Sequence, residues 1–543
     1  MHFMPSTSAS RFVAAAAAIL LTATGVSPRN PLLAQGRGRG AAEAHKNGPW
    51  FGVALPPPPG KEPAVIVGDR APRPVTLPPG EAATPELTAA NIRADLETIV
   101  NISKESRRTK EVGSGQTWGR ISGLPSGEKS IDWGIEQFKK AGIADVRVQT
   151  FKQDARSSFW FPMSWEVRLL ADPSFGPGSA DVVLESAIPL SPSELPAGTL
   201  TAPLIYVGTA SPAVLQHIDV KGKIAVQLIV PQGHMVFERG PAVSRDQDLI
   251  KRGAVAVFNI VRLPGNELAR DFNNCGGLCF NLGSRDGLFM ESVFDRIAQA
   301  GLDGKFRAQI TLKTESRTNL TAKNAVAVIP GSRSSDVLVI DAHADAWFDG
   351  AGDNADGYSV MIALARHFAK PQNRPERTLA FVASAGHHSP GINGPRNFLQ
   401  LNPDLAQKAI LMVNIEHVSQ RNFSPARSVA DDGTREFVAD SGEAPIVAGV
   451  SNKSPFIDTL FQQGVTRYGV NFISEKSDMG SGETGGFGDI KGAKITIMQA
   501  PPLYHTTGEV LDVISTPGLE RMARFLAYFI KEVGKAPTAQ INP

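Results

Sequence analysis

The sequence predicts an α/β fold, a mostly parallel mixed sheet with helices on both faces, interrupted by a small α/β insert. Three observations predict it. Beyond Thr321, short apolar runs alternate with helical periodicity in strand, loop, helix order, and buried strands alternating with helices build parallel sheets covered on both sides. From about Ser174 to Thr318 the texture changes to short strands and frequent turns. The chain has 543 residues, more than one hydrophobic core can serve, since single cores stop growing beyond about 250–300 residues.

The elements follow in order. Arg11 precedes an apolar run from Phe12 to Leu21, and small residues follow at Ala23, Gly25 and Ala34. That is the layout of a secretory signal, assigned to residues 1–34, and the run is too short to span a bilayer. Export to the periplasm or medium is expected, with no membrane segment after signal removal. Residues 35–85 are rich in Gly, Pro and Arg, including Pro56-Pro57-Pro58-Pro59. Such a stretch buries too little apolar surface to offset its ordering entropy and is expected to be a linker. Helical periodicity begins near Ala89, with Ile92, Leu96, Ile99 and Val100 on one face, and resumes from Ser130 to Ala141 before Gly142 stops it. Val146–Phe151 alternates as a strand should.

Within the changed texture, Ile224–Val230 and Ala254–Val261 read as strands around a short helix carrying Leu249 and Ile250. Beyond it, Val337–Asp341, Thr378–Ser384, Ala409–Ile415 and Ile495–Met498 read as strands, with helices over Ser359–Phe368 and Leu519–Val533. Residues 86–173 and 319–540 are thus expected to form one domain around an insert of residues 174–318.

Composition narrows the function. Apolar residues make up 42% and charged residues 20%, a globular balance. The formal charge of +2 gives no basic surplus to release counterions from a phosphate backbone, so no nucleic-acid partner is expected. Two cysteines, Cys275 and Cys279, exclude a disulfide scaffold and a four-cysteine zinc site, and leave open a small disulfide loop or two thiols.

In open α/β sheets the ligand crevice lies beyond the carboxyl ends of the strands. The first strand runs into Ala342-His343-Ala344-Asp345 and a loop through Asp353-Asn354-Ala355-Asp356-Gly357. The second ends at His387-His388, the third at Glu416-His417, and the fourth leads to Tyr504-His505. Five of ten histidines fall at these four ends. Crowded imidazoles and carboxylates desolvate and repel one another unless a cation organises them. Nitrogen and carboxylate donors without thiolate suit zinc or a similar divalent metal. Asp345 is placed to accept the other ring proton of His343. His417 stands either behind the ligands or packed behind the sheet, and Asp478 is either a pocket carboxylate or a turn residue. Gly480–Gly488 lacks the Gly-Lys-Ser/Thr ending of a phosphate loop and is expected to be a mobile loop near the pocket or a surface loop.

These ordered motifs, from Asp341-Ala342-His343-Ala344-Asp345 to Tyr504-His505-Thr506, resemble the aminopeptidase Y and glutamate carboxypeptidase family of co-catalytic zinc exopeptidases, over roughly Ala89 to the C-terminus. Gly222-Lys223-Ile224, followed by Lys251-Arg252-Gly253-Ala254-Val255-Ala256-Val257, resembles the protease-associated domain that several members carry as an insert. The resemblance implies that Asp353 bridges two metals, that His343 and Glu416 complete one site, and that His388 and His505 complete the other. It implies that Tyr504 polarises the scissile carbonyl or holds the oxyanion. The family has Glu-Glu where this chain has His387-His388. Histidine, with a reference pKa near 6.5, is both a zinc ligand and a base, so His387 is the expected proton acceptor and the second metal the weaker one. The expected function is an exported metal-dependent exopeptidase, holding one or two zinc ions and acting on peptides or N-acylated amino acids by metal-activated water. The alternative is a catalytically inactive binding or receptor-like homologue.

Overall fold

The computed structural model describes residues 50–56, 65–66, 70–229, 245–270, 275–427, 435–476, 482–499 and 501–543. The expected signal and much of the expected linker, with Asp478, lie outside them. Trp50 falls within the expected linker, yet it is fully buried against Phe175, Phe289 and Phe306. A large aromatic side chain is enough to fix this point of an otherwise Pro and Gly-rich stretch.

Two eight-stranded sheets organise the chain. In the first, Ser334–His343 lies between Arg377–Ser384 and Ala409–Glu416, parallel to both, and Ala493–Gln499 adds a fourth parallel strand. Thr321–Ile329, Asp145–Lys152 and Ile446–Val450 extend the sheet antiparallel, which makes it mixed and mostly parallel at its centre. Period-two alternation divides the side chains between two cores. Leu338, Ile340, Leu379, Phe381, Leu411 and Val413 face the helices Ala89–Arg108, Pro125–Lys140, Gly357–Ala369 and Thr516–Lys535. Val337, Val339, Ala380, Val382 and Met412 face Phe398 and Leu399 of the helix Gly394–Leu401. Because the strands are buried on both faces, their apolar runs are continuous in sequence.

The second sheet contains the parallel strands Ile224–Ile229, Ala256–Val261 and Cys279–Leu282, covered by the helix Ser284–Ala300. It also takes in Phe159–Leu170, paired antiparallel with Arg307–Arg317, so it draws on residues before 174. Phe159, Phe161, Trp165, Val167 and Leu169 supply that strand's apolar face to the core beneath the second sheet, which Trp118, Trp347 and Phe348 also enter. Cys275 and Cys279 form a disulfide. No helix among the described residues is long and apolar enough to cross a membrane.

Candidate metal centre

Each strand end delivers what the sequence placed there. His343 is the last residue of its strand and lies in register with Ser384, the last of the neighbouring strand. Glu416 ends the third strand. The loop after His343 returns through the turn Ala351–Asp356, and the Asp353–Asn354 peptide is cis. That turn is tied to the third strand end by side chains. Asn354 donates to the Ile415 carbonyl at 2.8 Å, and Asp356 accepts from the Val418 and Ser419 amides at 2.9 and 2.8 Å. Burial pushes the Asp356 carboxyl up to about 6.

Asp353, buried at 1% exposure, is the hub. Its Oδ1 lies 3.2 Å from His343 Nε2 and 3.3 Å from His417 Nε2. Its Oδ2 lies 2.9 Å from His388 Nε2 and 3.1 Å from His505 Nε2. Glu416 Oε1 approaches His343 Nε2 at 3.9 Å and His417 Nε2 at 3.4 Å. Three donor groups result among the described residues: His343, Asp353, Glu416 and His417; Asp353, His388 and His505; and His343, His387 and His388. Zinc with ligands at about 2.0–2.2 Å holds them roughly 3.3–3.6 Å apart in a tetrahedron, and the approaches onto Asp353 and Glu416 bracket that spacing. Both Asp353 oxygens and the Nε2 of His343 are buried without a hydrogen-bond partner among the described residues. Such groups are costly in a folded protein unless a ligand meets them, so these residues fit a divalent metal.

The electrostatics reflect the same crowding. Burial opposes charge on Asp353, but His388, His417 and His343 outweigh it and hold its carboxyl well below the usual range. Burial likewise opposes charge on His343, but Asp345 and Asp353 raise its pKa well above the ordinary value. His505, where burial wins, is pushed down to about 3. Asp345 lies behind His343: its carbonyl is 3.1 Å and its Oδ1 3.4 Å from His343 Nδ1, and its Oδ2 accepts the His388 amide.

His387 stacks on His343 with ring centroids 4.1 Å apart, and its Nε2 lies 3.7 Å from Glu416 Oε1. Its Nδ1 lies 2.5 Å from Glu483 Oε1. Glu483 comes from the glycine-rich stretch, of which residues 482–488 are described; its turn Gly482–Gly485 buries Glu483 and Thr484 beside Glu416 and is therefore no featureless surface loop. Gly482 has φ +63, and a Cβ there would fall 2.1 Å from Glu416 Oε2, so only glycine lets this turn close over the ligand. Glycine spacing hid Glu483 from sequence reasoning, and only long-range packing locates it. Tyr504 is half-buried beside His505 and His417.

Two further residues lay outside the motifs. Arg120 is fully buried, and its guanidinium donates to the carbonyls of Ala344, Asp349 and Gly350 at 3.2, 2.9 and 3.1 Å. It clamps the loop between His343 and Asp353 from a distant part of the chain, and burial lowers its pKa to about 10. From the second sheet's side, the Arg270 amide donates to the His505 carbonyl at 2.9 Å, while Leu268 and Thr507 bond to each other through two amides. The second sheet's side is thereby stitched to the loop that carries His505.

Residues 324–530 match the family model of peptidase family M28. The chain is 33% identical over 98 residues to a probable glutamate carboxypeptidase of Arthroderma benhamiae, and 30% identical over 111 residues to an inactive zinc metalloprotease of Schizosaccharomyces pombe. These stretches cover 17% and 20% of this chain. It is 24% identical over 311 residues, 56% of its length, to the aminopeptidase YwaD of Bacillus subtilis. The matches span only 13%, 14% and 60% of these three relatives. In fold the chain is like BSAP, a zinc aminopeptidase from Bacillus subtilis, with a TM-score of 0.54 at 18% identity, covering 84% of this chain and 98% of that one.

Proposed function

We propose that this chain is an M28-type enzyme, an exported, metal-dependent exopeptidase that hydrolyses a peptide or amide bond in a peptide or N-acylated amino acid. The observation that carries the reading is the convergence of buried imidazoles on both oxygens of Asp353. A divalent ion held there supplies Lewis acidity and makes water a better nucleophile near neutral pH. Imidazole and carboxylate donors favour zinc, as one tight ion or two of unequal affinity.

The remaining steps belong to side chains. By the resemblance drawn from the sequence, His387 takes the position of the family's glutamate base. Its Nδ1–H donates to Glu483, which fixes the tautomer and leaves a lone pair on Nε2 beside Glu416. His387 accepts a proton from the attacking water and returns it to the departing amine as the C–N bond breaks. Tyr504 donates to the carbonyl oxygen as that oxygen gains charge. Asp345 keeps the His343 ring in register with Asp353. We assign the second sheet's strands to a protease-associated insert on the Gly-Lys-Ile and Lys-Arg-Gly-Ala-Val pattern, which leads into the adjacent parallel strands Ile224–Ile229 and Ala256–Val261. Export is supported by the N-terminal charge-then-apolar run and by the Cys275–Cys279 disulfide, since disulfides persist in oxidising compartments.

The test is turnover of a panel of aminoacyl and N-acylated dipeptide substrates by the purified chain, with metal content measured in parallel. Cleavage that a chelator abolishes and zinc restores is expected. Retained metal with no turnover on any substrate would favour the inactive binding homologue.

A further inference from the structure

The strand end Glu416-His417 carries one histidine that the peptidase reading leaves without a task. His417 is 1% exposed, and neither ring nitrogen has a hydrogen-bond partner among the described residues. Its backbone has φ +51, a left-handed conformation that histidine seldom adopts and that side chains other than glycine occupy at a cost. His505 shares this feature, with φ +57. Strained backbone of this kind persists where the surroundings overdetermine it, and it clusters at functional sites. Here the surroundings are explicit. The His417 amide donates to Asn354 Oδ1 at 3.3 Å, its carbonyl accepts the Gln499 amide at 2.9 Å, and the next two amides are held by Asp356.

The strained turn aims Nε2 between two carboxylates, 3.3 Å from Asp353 Oδ1 and 3.4 Å from Glu416 Oε1. Both distances fall at the ligand-to-ligand edge of roughly 3.3–3.6 Å that a tetrahedral zinc site imposes. His343 Nε2 meets the same two oxygens from another side, at 3.2 and 3.9 Å. A ring that only packed against Tyr504, 5.0 Å away between centroids, would have no need to place a nitrogen between these oxygens.

We propose that His417 is a fourth protein ligand, which closes the site formed by His343, Asp353 and Glu416. The site of Asp353, His388 and His505 then has three protein ligands and is the one open to water and substrate, because four-coordinate protein sites are structural and three-ligand sites keep a position free. The pair is therefore unequal: one ion is enclosed and holds Asp353 in place, and the other faces the reaction. This inference rests on the reading of the centre as a metal site.

The experiment is titration of the full chain, freed of metal by chelator, with zinc and with cobalt(II). Metal content, affinity and the visible cobalt spectrum are read alongside circular dichroism. His417→Asn is the informative variant, because Asn tolerates left-handed backbone while its short side chain withdraws the ring nitrogen. The expected result is that one of the two equivalents weakens by at least about tenfold and that the intense four-coordinate cobalt band is lost. His505→Ala, in contrast, should lose the other equivalent and keep that band. If His417→Asn, folded by circular dichroism, binds both equivalents with unchanged affinity and spectrum, the assignment of His417 is overturned and the metal reading stands. If the unaltered chain binds no divalent ion, both fall together.

Discussion

In the second sheet, Gln227, Asn259 and Asn281 lie in register on three adjacent parallel strands. In the first, His343, His387 and Glu416 gather at the ends of three adjacent parallel strands or just beyond them. Both regions bury polar side chains at the heart of a sheet, and they treat them oppositely. Asn259 Oδ1 accepts from Gln227, its Nδ2 donates to Asp246 and Asn281, and Asn281 donates onward to the Ala269 carbonyl at 2.9 Å. A buried network completed within the chain rigidifies its surroundings. Around Asp353, its two carboxylate oxygens and the Nε2 atoms of His343 and His417 stand close together without a hydrogen-bond partner among the described residues, and a ligand brought from outside would complete them. Buried polar content alone therefore does not mark a functional site. What marks it is polar content left unfinished.

The sharpest break in this contrast comes from Asp353→Ala. It removes the carboxylate that joins two of the three donor groups, so metal content by elemental analysis should fall to background and turnover should vanish. His387→Ala should retain metal and lose about 10²–10⁴ in kcat, the usual contribution of a general base. Loss of metal from this variant would instead make His387 a ligand. Glu483→Gln should cost about 10–100-fold, read as a fall in kcat with little change in KM. In the completed network the response should be one of stability alone. Asn259→Leu leaves Asp246 and Gln227 short of partners and should lower unfolding free energy by about 1–3 kcal/mol, with bound metal unchanged.

The smallest effect concerns Asp286, buried in the insert beneath Ser186 and Asn266. Burial raises its pKa above the ordinary value of 3.8 even though Ser186 and Asn266 favour the charged form. Its contribution to stability is thus fully present below the unfolded value and is lost as pH rises through the raised folded one. Thermal melts should accordingly show the advantage of Asp286 over Asp286→Asn shrinking from acid toward neutral pH. An advantage that grows instead would mean that hydrogen bonding outweighs burial.

Much of the first sheet was legible in the chain because its strands are buried on both faces and read as continuous apolar runs. Ser334–His343, Arg377–Ser384 and Ala409–Glu416 extend the runs read from sequence by only a few residues. The histidines and carboxylates at their ends were legible for the same reason, since strand ends are where such sheets bind. The start of the second sheet was less so. Phe159–Leu170 reads as a strand wherever it packs, and only its partner, Arg307–Arg317, assigns it to the insert. Glu483 and Arg120 were illegible because each acts across a long sequence separation, through a contact that no local pattern encodes. His417 was visible as a residue, but its task depends on the sign of a backbone angle.

Were a metal held at the centre, the stitching of Leu268 and Arg270 to the loop of His505 and Thr507 would make it a thermodynamic reporter on the second sheet. A donor whose backbone is braced from that sheet cannot keep its place once the sheet unfolds, so binding energy would be shared between them. At a free-ion concentration 100 times Kd, linkage alone contributes about 2.7 kcal/mol, and part of it guards a sheet that holds none of the metal's donors. Chelation should therefore loosen the insert from a distance, and trimming the insert away should cost the chain its ion as well as a neighbour.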